Sequence, residues 1–175
     1  EEVIASLLRA EFRLRRGAEY EALSTARDLF AALAAGQRKL REEGADMSAD
    51  NLVQSQAALL RQLHLRLMPQ VPASRPKLYD VVAPSAPPVD DLLTAAEHAM
   101  QATLTQIEAG DREAAAGHHQ QAQTAFEKLA EIAGWRMEAM TKRARMKAAV
   151  TISEKQASQL LTFEERLIAL LEQTE

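Results

Sequence analysis

Four histidines, His64, His98, His118 and His119, are the side chains of this sequence best suited to metal ligation or general base work. His118 and His119 are neighbours. On a helix they point about 100° apart and cannot chelate one ion together. If two helices pair antiparallel about Gly110, His98 falls opposite residues 121 to 124, about one turn from His118 and His119, and a three-histidine site becomes conceivable. The plainer reading is preferred: solvent-facing histidines on a polar patch with Gln120, Gln121 and Gln123. No HExxH is present, and the Glu-x-x-His pairs that di-iron bundles need on two helices are missing. The expectation is no metal site.

Other chemistries fare no better. The carboxylate pairs Glu42-Glu43, Asp90-Asp91 and Glu164-Glu165 sit near helix ends or on polar faces. Acid–base work by paired carboxyls needs both in one pocket with their pKa values driven apart, and the sequence arranges no such pocket. The chain has no cysteine, which removes disulfides, thiolate catalysis and cysteine-based zinc sites together. Neither a glycine-rich phosphate loop nor a GxSxG turn occurs. No catalytic residue and no cofactor is assigned, and the chain is expected not to be an enzyme.

Candidates for binding are fewer and more local. Trp135 is the only tryptophan and lies beside Gly134, which makes it the first choice for the wall of a small inter-helix pocket. Met137 and Met140 share its neighbourhood at helical spacing. Methionine fills irregular cores and also lines adaptable binding surfaces, and core filling is the preferred reading. Arg136, Lys142, Arg143, Arg145 and Lys147 alternate with Met137, Met140 and Met146. That pattern suggests a basic amphipathic helix for lipid or a partner, but 142 to 147 wraps around the helix, so a solvated helix end is preferred.

The elements that must position these residues are helical. Apolar residues make up 47% of the 175 and aromatics only 4%, the composition of an alanine- and leucine-packed helix bundle. The net charge of −4 is too mild to favour nucleic acid or an anionic membrane. All six prolines fall between Pro69 and Pro88. Proline fixes φ, lacks an N–H and pushes its predecessor out of the α region, so the chain reads as two helical halves joined by an extended connector. The boundaries are 1–68, 69–89 and 90–175, with both halves expected in one packed domain. Leu78 and Tyr79, with Val81 and Val82, either pin the connector onto the bundle or form an extended recognition segment; the pinned reading is preferred.

Periodicity predicts helices over 2–16, 18–43, 49–68, 90–109, 112–150 and 153–173. Gly17 either ends the first helix or marks a weak point in a continuous one, the latter being preferred. Gly44 looks like a terminal cap, and Ser48 or Asp50 starts the third helix. Asp111 caps the fifth helix after the tight turn Ala109-Gly110-Asp111. Its stripe runs through Ala122, Ala125 or Phe126, Leu129, Ala133, Met137, Met140 and Ala144. Thr151-Ile152-Ser153-Glu154 fits a capping box and predicts a new start or a sharp bend. The fold class is therefore all-α: an elongated antiparallel bundle of five to six helices with a proline-rich connector.

Residues 106–129, QIEAGDREAAAGHHQQAQTAFEKL, resemble a tetratricopeptide hairpin: the end of one helix, a Gly-Asp turn and the start of the next. Gly110, Asp111, Ala114 and Phe126 carry the likeness, and RRGAEYEALSTARDLFAAL is a fainter echo. The usual Trp/Leu-Gly/Tyr positions, the terminal proline and a 34-residue period are missing, so the resemblance implies no binding residues.

The functional expectation is a non-enzymatic interaction or scaffold domain that works through helix faces, with a protein partner or self-association and no nucleic acid. The alternative is a sensory or ligand-binding bundle with a pocket near Trp135. The chain opens on Glu1-Glu2 without an initiator methionine, which suggests a soluble piece of a larger, membrane-anchored protein. Localisation is open, an extracytoplasmic setting being slightly favoured over a cytoplasmic one, and any membrane contact is assigned to segments outside this chain.

Overall fold

The computed structural model describes residues 2–67 and 88–172, with side chains described for 15–66 and 88–163. With no strand among them, the described residues form short turns and four helices. They are α1 (Glu2–Glu43), α2 (Ala49–Gln62), which runs on into a π-helical turn at Leu63–Leu67, α3 (Val89–Glu108) and α4 (Arg112–Glu172). Among the described residues the helices number four, against an expectation of five to six: neither Gly17, where the sequence favours a continuous helix, nor Thr151, where it predicts a new start or a bend, interrupts its helix. Gly17 lies inside α1 and Thr151 inside α4. The Thr151 hydroxyl donates to the Lys147 carbonyl one turn back at 3.0 Å. A threonine side chain satisfied this way continues a helix where a free one would cap a new start. The proline-rich connector, with Leu78 and Tyr79, lies outside the described residues apart from Pro88 and Val89.

Local chemistry sets each helix end. The Gly44 N–H donates to Leu40 O at 2.9 Å, closing α1. Ser48 sits in extended backbone before α2 and its hydroxyl accepts from the Asn51 N–H at 3.3 Å. That decides between the two expected caps, Ser48 and Asp50. Pro88 precedes α3, where a missing N–H costs no helical bond. The α3–α4 turn is a Schellman motif: Asp111 N–H to Gln106 O at 2.9 Å and Gly110 N–H to Ile107 O at 3.0 Å. Gly110 has φ of 81°, a left-handed value that suits glycine. The Asp111 carboxylate then accepts from the Ala114 N–H at 2.9 Å and caps α4.

The chain divides into two compact units, Glu1–Met137 and Glu138–Glu175. The boundary falls within α4 and not at the prolines, because residues from both expected halves share one core. Leu40 of α1, Leu52 of α2, Ile107 of α3 and Ala115 of α4 form one buried cluster, with Met47, Val53 and Leu59 against it. Further along, Phe30 and Phe126 are fully buried and stack with centroids 6.5 Å apart and planes at 26°. Burial of a ring of this size is worth about 2–3 kcal/mol before packing is counted. Gly36 marks a close approach of α1 and α2: a Cβ there would lie 2.7 Å from a Leu59 methyl.

The second unit is different. From Lys142 to Phe163 every described side chain is exposed. Glu138 pairs with Lys142 at 2.7 Å one turn on, and that hydrogen bond holds the Glu138 carboxyl below its ordinary value. Among the described residues no helix is long and apolar enough to cross a membrane.

Candidate functional site

Each helix of the first unit presents an apolar stripe at three-and-four spacing, and polar residues interrupt those stripes at core positions. In α1 the stripe Leu23, Ala26, Phe30, Leu33, Leu40 includes Gln37; in α2, Leu52 is followed by Gln56; in α4, Ala115 and Ala122 flank His119. All three polar side chains are buried, His119 being 2% exposed. An unpaired polar group at such a position costs about 1–3 kcal/mol, so each requires a partner.

They find one another. The Gln56 side-chain N–H donates to the Met100 carbonyl of α3 at 3.1 Å. Gln37 donates to Gln56 Oε1 at 3.2 Å. Gln37 Oε1 lies 2.7 Å from Nδ1 of His119. One hydrogen-bonded relay therefore crosses all four helices. Its polarity follows from its end. The Met100 carbonyl only accepts, which fixes the Gln56 amide, which in turn fixes that of Gln37. Gln37 thus presents its oxygen to the imidazole, so Nδ1 carries the proton and donates. His119 is neutral with a bare lone pair on Nε2. That Nε2 atom is buried and finds no partner in the protein. Burial, first, and then the positive charge of Arg41 and the neighbouring His118 lower the His119 pKa from 6.5 to about 4.

The same ring lines a cavity of about 160 Å³ between α1, α2 and the start of α4. Leu40, Leu52 and Ala115 supply apolar wall, and Arg41 and Arg112 also line it. Arg112 is anchored: it donates to the carbonyls of Gly44 at 3.1 Å, Ala45 at 2.7 Å and Met47 at 3.0 Å. It thereby ties the α1–α2 loop to α4 and places a cation at the C-terminal end of α1, where the helix dipole favours one. Arg41 is looser, with the Glu42 carboxylate 3.6 Å from its guanidinium. Gly44 is buried at the rim, and a Cβ there would overlap the Leu40 carbonyl oxygen.

The histidines expected to face solvent together are separated by the fold. His119 turns inward, and so does Gln123, whose side chain donates to Glu127 at 2.8 Å. His118 lies 3.2 Å from Gln121 Oε1, and His64 pairs with Glu97 at 3.0 Å. His98 is exposed. Among the described residues no three His, Asp or Glu side chains are placed to hold a metal ion.

Trp135 is 44% exposed and Met137 is buried, both in the first unit, while Met140 is half-buried in the second. Trp135 stands sixteen residues beyond His119, about 24 Å along the helix, and does not line the cavity described here. Arg136, read from sequence as part of a solvated basic end, is buried. Sequence reasoning passed over Gln37 and Gln56. The available signal was their register: a polar residue at a core position of an otherwise apolar stripe.

No protein-family model matches the chain, and neither a curated protein nor a solved structure matches it. The likeness of 106–129 to a tetratricopeptide hairpin thus describes a helix, a turn and a helix.

Proposed function

We propose that the chain is a non-enzymatic helical interaction domain whose docking element is the exposed apolar face of α4 in the second unit. The observation that supports this is the set Met146, Val150, Ile152, Leu160, Leu161 and Phe163, all exposed, Met146 at 68% and Phe163 at 64%. At about 100° per residue these six occupy one half of the helix circumference. Lys147, Thr151, Lys155, Ser158 and Thr162 occupy the other half. The Thr151 and Thr162 hydroxyls are satisfied within the helix, by the Lys147 and Ser158 carbonyls. The polar half suits water and the apolar half suits a partner helix, the arrangement by which amphipathic helices dock. Single exposed hydrophobics are ordinary on a monomer, whereas six on one half of a helix, with Arg145, Ser153 and Gln156 among them, support an interaction surface.

The test is light scattering after size-exclusion chromatography of the full chain and of a Leu160→Glu/Phe163→Glu variant. The expected outcome is a concentration-dependent assembly, or a stable complex with a partner helix, that the double substitution dissolves. A monomer with identical behaviour in both proteins would rule the reading out. A second reading, a ligand-binding bundle, is supported by the cavity beside His119 in place of a pocket at Trp135.

A further inference from the structure

The second unit distributes its charge as unevenly as its apolar residues. Lys142, Arg143, Arg145 and Lys147 place four positive charges within six residues, and all four side chains are exposed. Arg143 and Arg145 border the apolar half of the helix and Lys147 stands just beyond it. Residues 148–163 hold one acid, Glu154, and one base, Lys155, which cancel. Residues 164–175 hold four glutamates against one arginine, and the helix backbone runs on to Glu172. Val150, Ile152, Leu160, Leu161 and Phe163 fall between the basic and the acidic end. A helix of this kind is complementary to itself reversed. Two copies laid in the same direction set four cations against four cations, and like charges across an interface select against that arrangement. Two copies laid in opposite directions bring each basic end beside the other's glutamate-rich end.

We infer that the partner of this face is a second copy of the chain, paired antiparallel over residues 142–172 about a two-fold axis near Gln156 and held in that direction by its charged ends. One register then sets Val150 of one copy beside Leu161 of the other, Ile152 beside Leu160 and Ala149 beside Phe163, and the two-fold repeats each pair. Ser153 and Ala157, short side chains on the same half of the helix, fall at the crossing, where they let two helices approach closely. The inference rests on the docking reading of α4 and adds to it the identity and direction of the partner.

The chain has no cysteine, so an introduced one reports alone. Val150→Cys and Leu161→Cys of the full chain are oxidised separately and as an equimolar mixture. In the antiparallel pair positions 150 and 161 are adjacent, whereas two copies of either position lie about 16 Å apart along the axis, beyond disulfide reach. The expected result is a crosslinked dimer in the mixture and none in either variant alone. Sedimentation equilibrium of the parent chain should show a dimer whose Kd rises about tenfold in Arg145→Glu/Lys147→Glu and returns when Glu164→Lys/Glu165→Lys is added. Below that Kd the chains are separate and the face is in water, as in the single chain. A crosslink in Val150→Cys alone, or a Kd indifferent to the charge reversal, would overturn the antiparallel pairing; the docking face would stand if Leu160→Glu/Phe163→Glu still dissolved the dimer. A chain that stays monomeric overturns the inference as well, whether α4 then binds a helix of another protein or vesicles of phosphatidylcholine and phosphatidylserine. A dimer that persists in Leu160→Glu/Phe163→Glu would overturn the inference and the docking reading together.

Discussion

Helix α4 runs through two environments in one backbone conformation. From Ala115 to Met137 it buries a residue at every third or fourth position: Ala115, His119, Ala122, Phe126, Leu129, Ala133 and Met137. From Lys142 to Phe163 its described side chains are all exposed. Continuing the first stripe at the same spacing leads to Met140, Ala144, Lys147, Thr151, Lys155, Ser158 and Thr162. Polar residues take over that register just where the apolar ones move to positions 146, 150, 152, 160, 161 and 163. The comparison teaches that helical propensity and burial are separate instructions. Alanine, leucine, lysine, arginine and glutamate keep the backbone helical throughout. Among the described residues only the first segment buries side chains, and such packing is what makes a helix more than marginally stable.

The sharpest way to break this comparison is one substitution in each region. Phe126→Ala removes half of the stacked pair with Phe30 and leaves a cavity, at an expected cost of about 3–5 kcal/mol in urea unfolding. Phe163→Ala, the same change on the exposed segment, should stay within about 0.5 kcal/mol of the parent protein. Comparable losses at both sites would mean that the second unit is held by packing absent from the described contacts.

The relay supplies a smaller effect. Gln56→Leu leaves Met100 O and the Gln37 amide without their partner in a buried setting, and about 2 kcal/mol of stability should go with them. The substitution preserves approximate volume, so the loss reports hydrogen bonding more than packing. A neutral result would show that the relay does not hold the four helices together.

The smallest expected effect is a pH dependence confined to the first unit. The folded-state pKa of His119 is depressed to about 4 from 6.5, so the folded protein binds fewer protons than the unfolded chain between those values. Its contribution is fully present above pH 6.5 and is lost as pH falls toward 4. The groups that disfavour the charged form are Arg41 on α1 and His118 on α4, and Arg112 lines the same cavity. After allowance for screening by water at the cavity mouth, the loss should be up to about 2 kcal/mol. Chemical denaturation at several pH values, with His119→Gln as the reference, measures it. An equal pH slope in both proteins would assign the effect elsewhere. Glu127, whose carboxyl is lowered by its hydrogen bonds from Gln123 and then Arg38, loses its own contribution at lower pH, as its ordinary value of 4.5 is approached and passed.

Much of the fold was legible residue by residue. Gly44, Ser48, Pro88 and Gly110 punctuate the chain where the structure ends or starts its helices, because capping and φ restrictions act over a few residues. The buried stripe of α4 through Ala122, Phe126, Leu129, Ala133 and Met137 was readable from spacing. Thr151 was misleading for an equally local reason: its sequence fits a cap, but the hydroxyl had a second acceptor one turn back. Gly36 costs α1 about 1 kcal/mol of helix propensity relative to alanine, and the structure uses its missing Cβ to bring Leu59 against α1.

The site was not legible, because its parts come from positions distant in sequence. Gln37, Gln56, Met100 and His119 lie on four different helices, and nothing local marks them as partners. His119 looked like one of a polar group with His118 and the surrounding glutamines, and only packing distinguishes the inward residue from the outward ones. By itself the sequence determined that the described residues are helical, that helices end or start at Gly44, Ser48, Pro88 and Gly110, and which residues repeat at core spacing, since these depend on neighbours within a turn or two. Tertiary structure alone decided that two glutamines and a histidine would be taken out of water together. Burial made their hydrogen bonds obligatory, and the order of those bonds, fixed at one end by a backbone carbonyl, placed the donating proton of His119 on Nδ1.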